Sequence, residues 1–226
     1  MIKVTVAGSN GRMGRRIIGL AEKDRDIEIV SRFDTGVDAK SEIAACEVLI
    51  EFTTPEATAS HIAIAERLKK AVVIGTTGLS RGDKGVIEKA SANIPIVFAP
   101  NMSVGVNLLF KICRDAARIL PGDYTVEMTE VHHAGKKDSP SGTAKRLAEL
   151  IAGERNISAA DIPVKSIREG EIVGDHKVVF ASGAERIELS HSANTRDTFA
   201  LGAIAAAKFL KGKKNGLYTM RDVLGI

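Results

Sequence analysis

One stretch of the chain, Glu130 to Ala144, gathers most of the side chains that could move a proton or hold an anion. It reads Glu-Val-His-His-Ala-Gly-Lys-Lys-Asp-Ser-Pro-Ser-Gly-Thr-Ala. His132 and His133 place two imidazoles side by side, and imidazole is the group that titrates closest to neutrality. Lys136 and Lys137 follow within a few residues, and an ammonium can supply a proton or hold a carboxylate. An imidazole beside an ammonium is expected to stay neutral, because the second positive charge disfavours its protonated form. Ser141-Gly142-Thr143 then precedes Ala144, Leu147, Ala148 and Ile151, which recur at helical spacing. The start of a helix offers free N–H groups to an anion. A metal site does not fit, since no cysteine lies near and there is no H-E-x-x-H spacing. The plain alternative is a polar loop with no duty. The chemistry these groups suit is a reduction in which the substrate carries carboxylates and takes up a proton.

Such a stretch needs a rigid support and a hydride source. Thr125 to Val131 alternates in the period-two manner of a strand, so the histidines leave its end. The hydride source is legible in the first hundred residues. Ile2 to Ala7 reads as a strand and runs into Gly8-Ser9-Asn10-Gly11-Arg12-Met13-Gly14, after which Met13, Ile17 and Leu20 mark one helix face. Glycines there let the backbone turn tightly and approach a pyrophosphate at the helix start. The spacing is G-x-x-G-x-x-G rather than G-x-G-x-x-G, and glycines that only shape a turn are the alternative. A second strand, Ile27 to Phe33, ends at Asp34, about 20 residues past the last glycine, where an acid would bond an adenosine ribose. Its alternative is a turn with Gly36. Thr35 follows instead of arginine, so NADH is favoured over NADPH, although Arg12, Arg32 or Lys40 could reach a 2′-phosphate.

Strand and helix signals then alternate: Val48 to Phe52, a helix after Thr54-Pro55, Ala71 to Gly75, a helix from about Arg81, and Ile94 to Ala99. That rhythm predicts an α/β domain of the Rossmann type, a parallel sheet with helices on both faces. Ligands in such a fold sit beyond the carboxyl ends of the strands. Phe52-Thr53-Thr54-Pro55, Gly75-Thr76-Thr77-Gly78 and Ala99-Pro100-Asn101-Met102 fall at those ends. After Asn101 the rhythm changes. Val104 to Leu120 reads as a long helix, Tyr124 to Val131, Lys177 to Ala181 and Arg186 to His191 read as strands, and Thr198 to Leu210 reads as a helix. These predict a second α+β domain on an open mixed or antiparallel sheet. The expected division is 1–103 for dinucleotide binding, 104–194 for substrate and oligomer contacts, and 195–226 returning to the first domain.

Composition limits the partners. The 226 residues are 44% hydrophobic and 27% charged, and no apolar run approaches the roughly 20 residues of a membrane helix. The chain opens directly into a strand with no leader pattern, so the expectation is a cytoplasmic protein without a membrane partner. Two cysteines, Cys46 and Cys113, argue against a disulfide framework and predict buried free thiols. A net charge of +4 from scattered basic residues, with no Trp, argues against a nucleic-acid surface and for a small anionic ligand.

Beyond these readings, the chain resembles the 4-hydroxy-tetrahydrodipicolinate reductase family, also called dihydrodipicolinate reductase. The resemblance rests on Glu130-Val-His132-His133 with Lys136, Asp138 and Pro140-Ser141-Gly142-Thr143-Ala144. It continues in the Gly-Arg-Met-Gly ending at Gly14, Phe52-Thr53, Pro55-Glu56, Gly75 to Gly78, Asn101 to Asn107, Gly174-Asp175-His176 and Tyr218 to Leu224. It implies NAD(P)H-dependent reduction of a cyclic dicarboxylate, 4-hydroxy-tetrahydrodipicolinate, with loss of water, in lysine and diaminopimelate biosynthesis. By the same resemblance His132 would be proton donor and acceptor and Lys136 the second proton source. His133, Gly142 and Thr143 would bind substrate. Gly8, Ser9, Asn10, Gly11, Arg12, Met13, Asp34, Gly75, Thr76, Thr77, Ala99, Pro100, Asn101 and Met102 would hold the dinucleotide. The family is usually tetrameric through its second-domain sheets, so a homotetramer is implied. The chain is shorter than many members after the helix at Ala144 to Ala152. A related two-domain oxidoreductase acting on another imine or an amino acid, or a dinucleotide-sensing protein, are the other classes these residues could serve.

Overall fold

Strands Ile2–Ala7 (β1), Val48–Glu51 (β3), Ala71–Ile74 (β4) and Pro95–Phe98 (β5) are nearly continuous apolar runs, which is what a strand covered on both faces requires. With Ile27–Phe33 (β2) and Gly216–Tyr218 (β10) they form a six-stranded sheet in the order β10-β5-β4-β3-β1-β2, every pair parallel. Alternate residues serve alternate faces. Val4, Val6, Val48, Ile50, Val73 and Val97 pack on one side with Ile17, Ile18 and Ala21 of helix α1 (Arg12–Ala21). The same core holds Ala200, Ala203, Ile204 and Ala207 of α7 (Asp197–Leu210). Leu49, Val72, Ile74 and Ile96 pack on the other side with Ile62, Ala65, Ile87 and Ala90 from α3 (Pro55–Arg67) and α4 (Arg81–Ser91). A short helix, α2 (Ala39–Ala44), adds Ile43 to that side. Each such Val or Ile, fully buried, contributes about 1.5–3 kcal/mol.

The computed structural model describes all 226 residues, and the chain divides into two compact units. Met1–Val104 with Asp197–Ile226 forms the first, and Gly105–Arg196 the second. The C-terminal return is sealed by small residues. Gly202 of α7 lies against the Met102 carbonyl so closely that an added Cβ would stand 1.7 Å from that oxygen. A final helix, α8 (Met220–Leu224), places buried Met220 in the same core.

The second unit is a four-stranded sheet backed by two helices, α5 (Val104–Ile119) and α6 (Gly142–Arg155). Its order is β7-β6-β8-β9, from Val164–Arg168 (β7), Thr125–His132 (β6), Asp175–Ala181 (β8) and Arg186–Ser192 (β9). β6 pairs antiparallel with β8 and β8 with β9, whereas β7 is parallel to β6, so the sheet is mixed. The sequence does not single out β7. Val-Lys-Ser-Ile-Arg is short and largely polar, and only pairing with β6 makes it a strand. Met128, Val178 and Phe180 meet Leu109, Cys113, Leu147 and Ile151 in one core. Cys46 and Cys113 are both buried and free, and burial pushes the Cys113 thiol up to about 12.

Gly202→Ala is expected to destabilise the first unit at the upper end of the usual 1–3 kcal/mol cost of overpacking, because the clash is with backbone that cannot rotate away. Gly153→Ala, on an exposed turn of α6 with nothing near the new methyl, is the control and should stabilise by about 1 kcal/mol through helix propensity. Urea melts of the two variants should therefore move in opposite directions; equal shifts would contradict the packing described.

Candidate active site

In the first unit the order of strands reverses about β1, which has β2 on one side and β3 on the other. A crevice at the carboxyl ends of such strands is where an open parallel sheet receives ligands. Gly8 stands there with φ 78°, and a Cβ on it would lie 2.3 Å from the Phe52 carbonyl oxygen. Only glycine suits both that conformation and that approach. A Cβ on Gly14 would stand 2.1 Å from the Gly8 carbonyl oxygen, so the third glycine brings α1 onto the loop. The loop is tied to β2 by Gly8 and Ser9 N–H groups donating to Phe33 O and by the Asn10 N–H donating to Asp34 Oδ2 at 3.0 Å. Gly11 caps α1, Arg12 opens it exposed, and its first turn carries no acid to oppose an anion.

The remaining strand ends converge on the same edge. The Phe52 ring fills the space where Gly75 would carry a side chain. Glu51, fully buried, accepts from the Thr53 N–H and hydroxyl, from Thr58, and from His61 Nδ1 at 2.8 Å. Thr58 Oγ1 in turn lies 2.9 Å from Thr76 Oγ1, with Thr77 following exposed. Ala99 N–H donates to Ile74 O, and Asn101 Oδ1 accepts from Ser103 N–H. Pro100 is exposed beside them, while Met13, Ala99 and Met102 turn their side chains into the core, which leaves their backbone for any ligand. Asp34 also accepts from Thr35 N–H, and Arg32 is engaged with Glu22 at 3.6 Å. The glycine loop, the helix start and the placed acid fit a dinucleotide.

In the second unit the sheet face under the helices changes from apolar to polar along its length. Met128, Glu130 and His132 occupy successive inward positions of β6, and all three are buried. Across the sheet Arg168 is opposite His132 on β7, His176 is opposite Glu130 on β8, and His191 is opposite His176 on β9. Glu130 Oε2 bonds His132 Nδ1, and both carboxylate oxygens accept from Arg168, at 2.8 and 3.0 Å. Oε1 also accepts the Ser141 N–H. Ser141 caps α6 by accepting from Ala144 N–H, and its hydroxyl lies 3.3 Å from His176 Nε2. Gly142, exposed, opens the helix, followed by half-buried Thr143. His133 donates its backbone N–H to Ile172 O, and Lys136 Nζ meets Asp138 Oδ1 at 2.7 Å. No group of three or more His, Cys, Asp or Glu is arranged to hold a metal ion.

The electrostatics of this cluster follow from burial and pairing. Burial alone would raise the Glu130 carboxyl, but Arg168 and His132 outweigh it and bring it to about 2. His132 is lowered, chiefly by burial, with Glu130 opposing and Lys136 a smaller contributor. The imidazole is thus disfavoured as a cation chiefly by its own position in the core, and Lys136, expected from the sequence to be the cause, contributes less. His176 is pushed down to about 3 by burial and then by the charge of His132, with their rings edge to face at 5.2 Å.

Three participants escape a reading by type and spacing. Glu130 is legible in principle, since i and i+2 on a strand share a face. Arg168 lies on the unpredicted β7. Gly174 passes so close that a Cβ there would stand 2.9 Å from His132 Nε2.

Comparison with known proteins bears on both units. The family model for the N-terminus of dihydrodipicolinate reductase matches residues 2–102, and that for its C-terminus matches residues 105–224. The 4-hydroxy-tetrahydrodipicolinate reductase of Aromatoleum aromaticum is 42% identical over 266 aligned residues, covering 100% of this chain and 96% of its own. That of Akkermansia muciniphila is 44% identical over 243, covering 100% and 99%. Among solved structures, a dipicolinate-bound dihydrodipicolinate reductase from Paenisporosarcina sp. TG-14 superposes with TM-score 0.87 at 23% identity over 98% of each chain, a likeness of fold.

The polar cluster makes the second unit acid-sensitive with one sign throughout. His176 binds its proton more weakly folded than unfolded, so its contribution is full above pH 6.5 and is lost as pH falls to about 3. Glu130 is held below its ordinary 4.5, so its contribution is full above that value and is lost as pH falls to about 2. The two losses have the same sign and follow one another as the pH falls. Thermal melts should fall steadily below pH 6.5, and His176→Asn should flatten the part between 6.5 and 4.5. A wild-type melting temperature constant across that interval would contradict the assignment.

Proposed function

The chain belongs to the dihydrodipicolinate reductase family, and we propose that its second unit delivers the proton in the reduction of 4-hydroxy-tetrahydrodipicolinate to tetrahydrodipicolinate. The enzyme is an NAD(P)H-dependent reductase of lysine and diaminopimelate biosynthesis, and the reaction releases water. The observation that supports the assignment of roles is the joint placement of His132 and the α6 start around the buried Glu130 carboxylate, with Arg168 tying the loop that carries Lys136 to the same carboxylate. When bound, the dinucleotide supplies the hydride.

The protein's own residues do the rest. Gly8 to Met13 receive the pyrophosphate at the start of α1, and Asp34 accepts the adenosine ribose hydroxyls. Gly75 to Thr77 and Ala99 to Met102 line the nicotinamide end. His132 gives a proton to the substrate and recovers it from solvent, and Lys136, released from Asp138, is the second proton source. Gly142 and Thr143 hold one substrate carboxylate at the helix start, where aligned peptide dipoles favour an anion, and His133 holds the other end. Positioning of this kind supplies a large share of the rate in such reactions.

NADH is the preferred donor in this reading. A carboxylate at Asp34 welcomes a 2′-hydroxyl and repels a 2′-phosphate, and the nearby Arg32 is drawn towards Glu22. The outer face of the second sheet carries exposed Thr125, Glu127, Arg186 and Glu188, and we assign it to contacts between copies in a homotetramer, following the family. The enzyme is assigned to the cytoplasm with other biosynthetic reductases; no helix is long and apolar enough to cross a membrane.

Lys136→Ala should lower kcat about 100-fold, the lower range for a lost proton donor, while dinucleotide affinity stays near wild type. The assay follows dinucleotide oxidation with the freshly formed condensation product of aspartate semialdehyde and pyruvate. Wild-type turnover by the purified variant would remove Lys136 from the mechanism. In the same assay wild-type kcat/KM should favour NADH, and Asp34→Ala should reduce the NADH value by about 10–100-fold, the loss expected for hydrogen bonds to a charged group. An unchanged NADH value would refute the ribose role of Asp34. Analytical ultracentrifugation should give a tetramer, and a monomer would refute the sheet-face assignment.

A further inference from the structure

We infer that Glu130 and Arg168 are positioning residues of the reductase: the buried carboxylate, clamped by the guanidinium, holds the His132 proton on Nδ1 and leaves Nε2 to exchange the reacting proton. This rests on the reading of His132 as the proton donor.

An ionised carboxylate can only accept hydrogen bonds. It has no hydrogen to give, so each of its partners must be a donor. Glu130 has four such contacts: two from Arg168, one from the Ser141 N–H and one at His132 Nδ1. Arg168 cannot lose its proton, and a buried carboxylate held bidentately by it stays charged. Nδ1 must therefore carry the hydrogen. In the neutral ring Nε2 is then the basic nitrogen, and in the imidazolium Nε2–H is the proton not already committed to a partner.

Arg168 is itself held in place. Its Nη1 donates also to Ile167 O at 2.7 Å and its Nη2 to Asp138 O at 2.6 Å, so the guanidinium is fixed to β7 and to the loop that carries Lys136. Without Arg168 the carboxylate would be an uncompensated buried charge, which is strongly destabilising. On the far side of the ring, Gly174 keeps side-chain atoms away from Nε2. The charged and titratable groups facing His132 are Glu130 on its own strand, Lys136 from the following loop, Arg168 from β7 and His176 from β8. Only Glu130 among them favours the imidazolium, so it alone offsets burial and makes the donor form accessible.

The step balances. A bound dinucleotide would supply the hydride, whose electron pair would add to the substrate's conjugated ring as the dinucleotide is oxidised. The Nε2–H bond breaks, and its proton goes to the substrate atom that gains electron density. Water forms from the hydroxyl and a hydrogen of the neighbouring ring carbon, an elimination that takes no proton from His132 and leaves the conjugated ring that accepts the hydride. His132 is left neutral with its hydrogen on Nδ1, and Nε2 is reprotonated from solvent.

The test separates tautomer from turnover. In wild-type protein with ¹⁵N-labelled histidine, the neutral His132 ring should show hydrogen on Nδ1 and a bare Nε2. Glu130→Gln replaces an acceptor by a side chain that can donate to Nδ1. It should move hydrogen to Nε2, lower kcat about 100-fold or more and shift the pH profile of kcat/KM, with the KM for dinucleotide unchanged. Glu130→Asp, which keeps the carboxylate, should recover part of the rate and the Nδ1–H form. Hydrogen on Nε2 in the neutral wild-type ring would overturn the inference, as would a folded Glu130→Gln enzyme with the wild-type rate and pH profile. If Glu130→Gln does not fold, the wild-type spectrum still decides. A wild-type protein that shows the Nδ1–H ring but reduces no substrate would refute the proposed function while leaving the positioning intact.

Discussion

A carboxylate without solvent is the constraint around which the second unit is arranged. Glu130 is 1% exposed, and a charge in that position needs donors on every side. Three different pieces of backbone meet the requirement. β7 must run parallel to β6 for Arg168 to stand opposite His132, the Ser139 to Ser141 segment must turn so that Ser141 N–H points back to Oε1, and β6 must keep its register so that His132 lies two residues on, over the same face. The cap of α6 and the orientation of the imidazole thus depend on one side chain. The start of α6 and the His132 imidazole are therefore held at a set separation by their shared contact with Glu130.

The first unit meets a different constraint, the close approach of backbone to backbone at the point where strand order reverses. Gly8 against the Phe52 carbonyl, Gly14 against the Gly8 carbonyl and Gly75 against the Phe52 ring are three places where any Cβ would force strand ends apart. A second buried carboxylate, Glu51, ties the loop after β3 to α3 and, through Thr58, to Thr76 after β4. Rigid strand ends with polar backbone turned outward form a surface suited to a long, anionic, extended ligand. The alanine-rich α7 closes the opposite layer because its small side chains let it lie directly over the strands.

Much of this was legible without coordinates, for reasons that differ by residue. The strand, glycine turn and helix from Ile2 to Ala21 is a local unit, and its glycines announce conformations that other residues resist. The buried parallel strands declare themselves as short apolar runs between turn signals, and the alternation from Thr125 to Val131 declares β6, although only the structure carries that strand on to His132 and so sets Glu130 and His132 on one face. β7 was not legible, because a short polar strand forms only when a neighbour supplies its hydrogen-bond partners. Helix α2 and strand β10 were missed for the same want of periodicity; each is too short to repeat its pattern. The lowered basicity of His132 was expected from Lys136, yet burial, which no spacing reveals, is its principal cause.

By itself the sequence determined the alternation of strands and helices, the glycine loop with its acid at the end of the next strand, and the histidine and lysine pairs ahead of a capped helix, since each depends on residue types within a turn or a strand of one another. The tertiary structure alone decided which arginine neutralises Glu130, which nitrogen of His132 holds its hydrogen, and which glycine stands beside the other. Those outcomes depend on strand order and register between segments far apart in the chain, and a shift of one residue in β7 would have turned Arg168 to the opposite face.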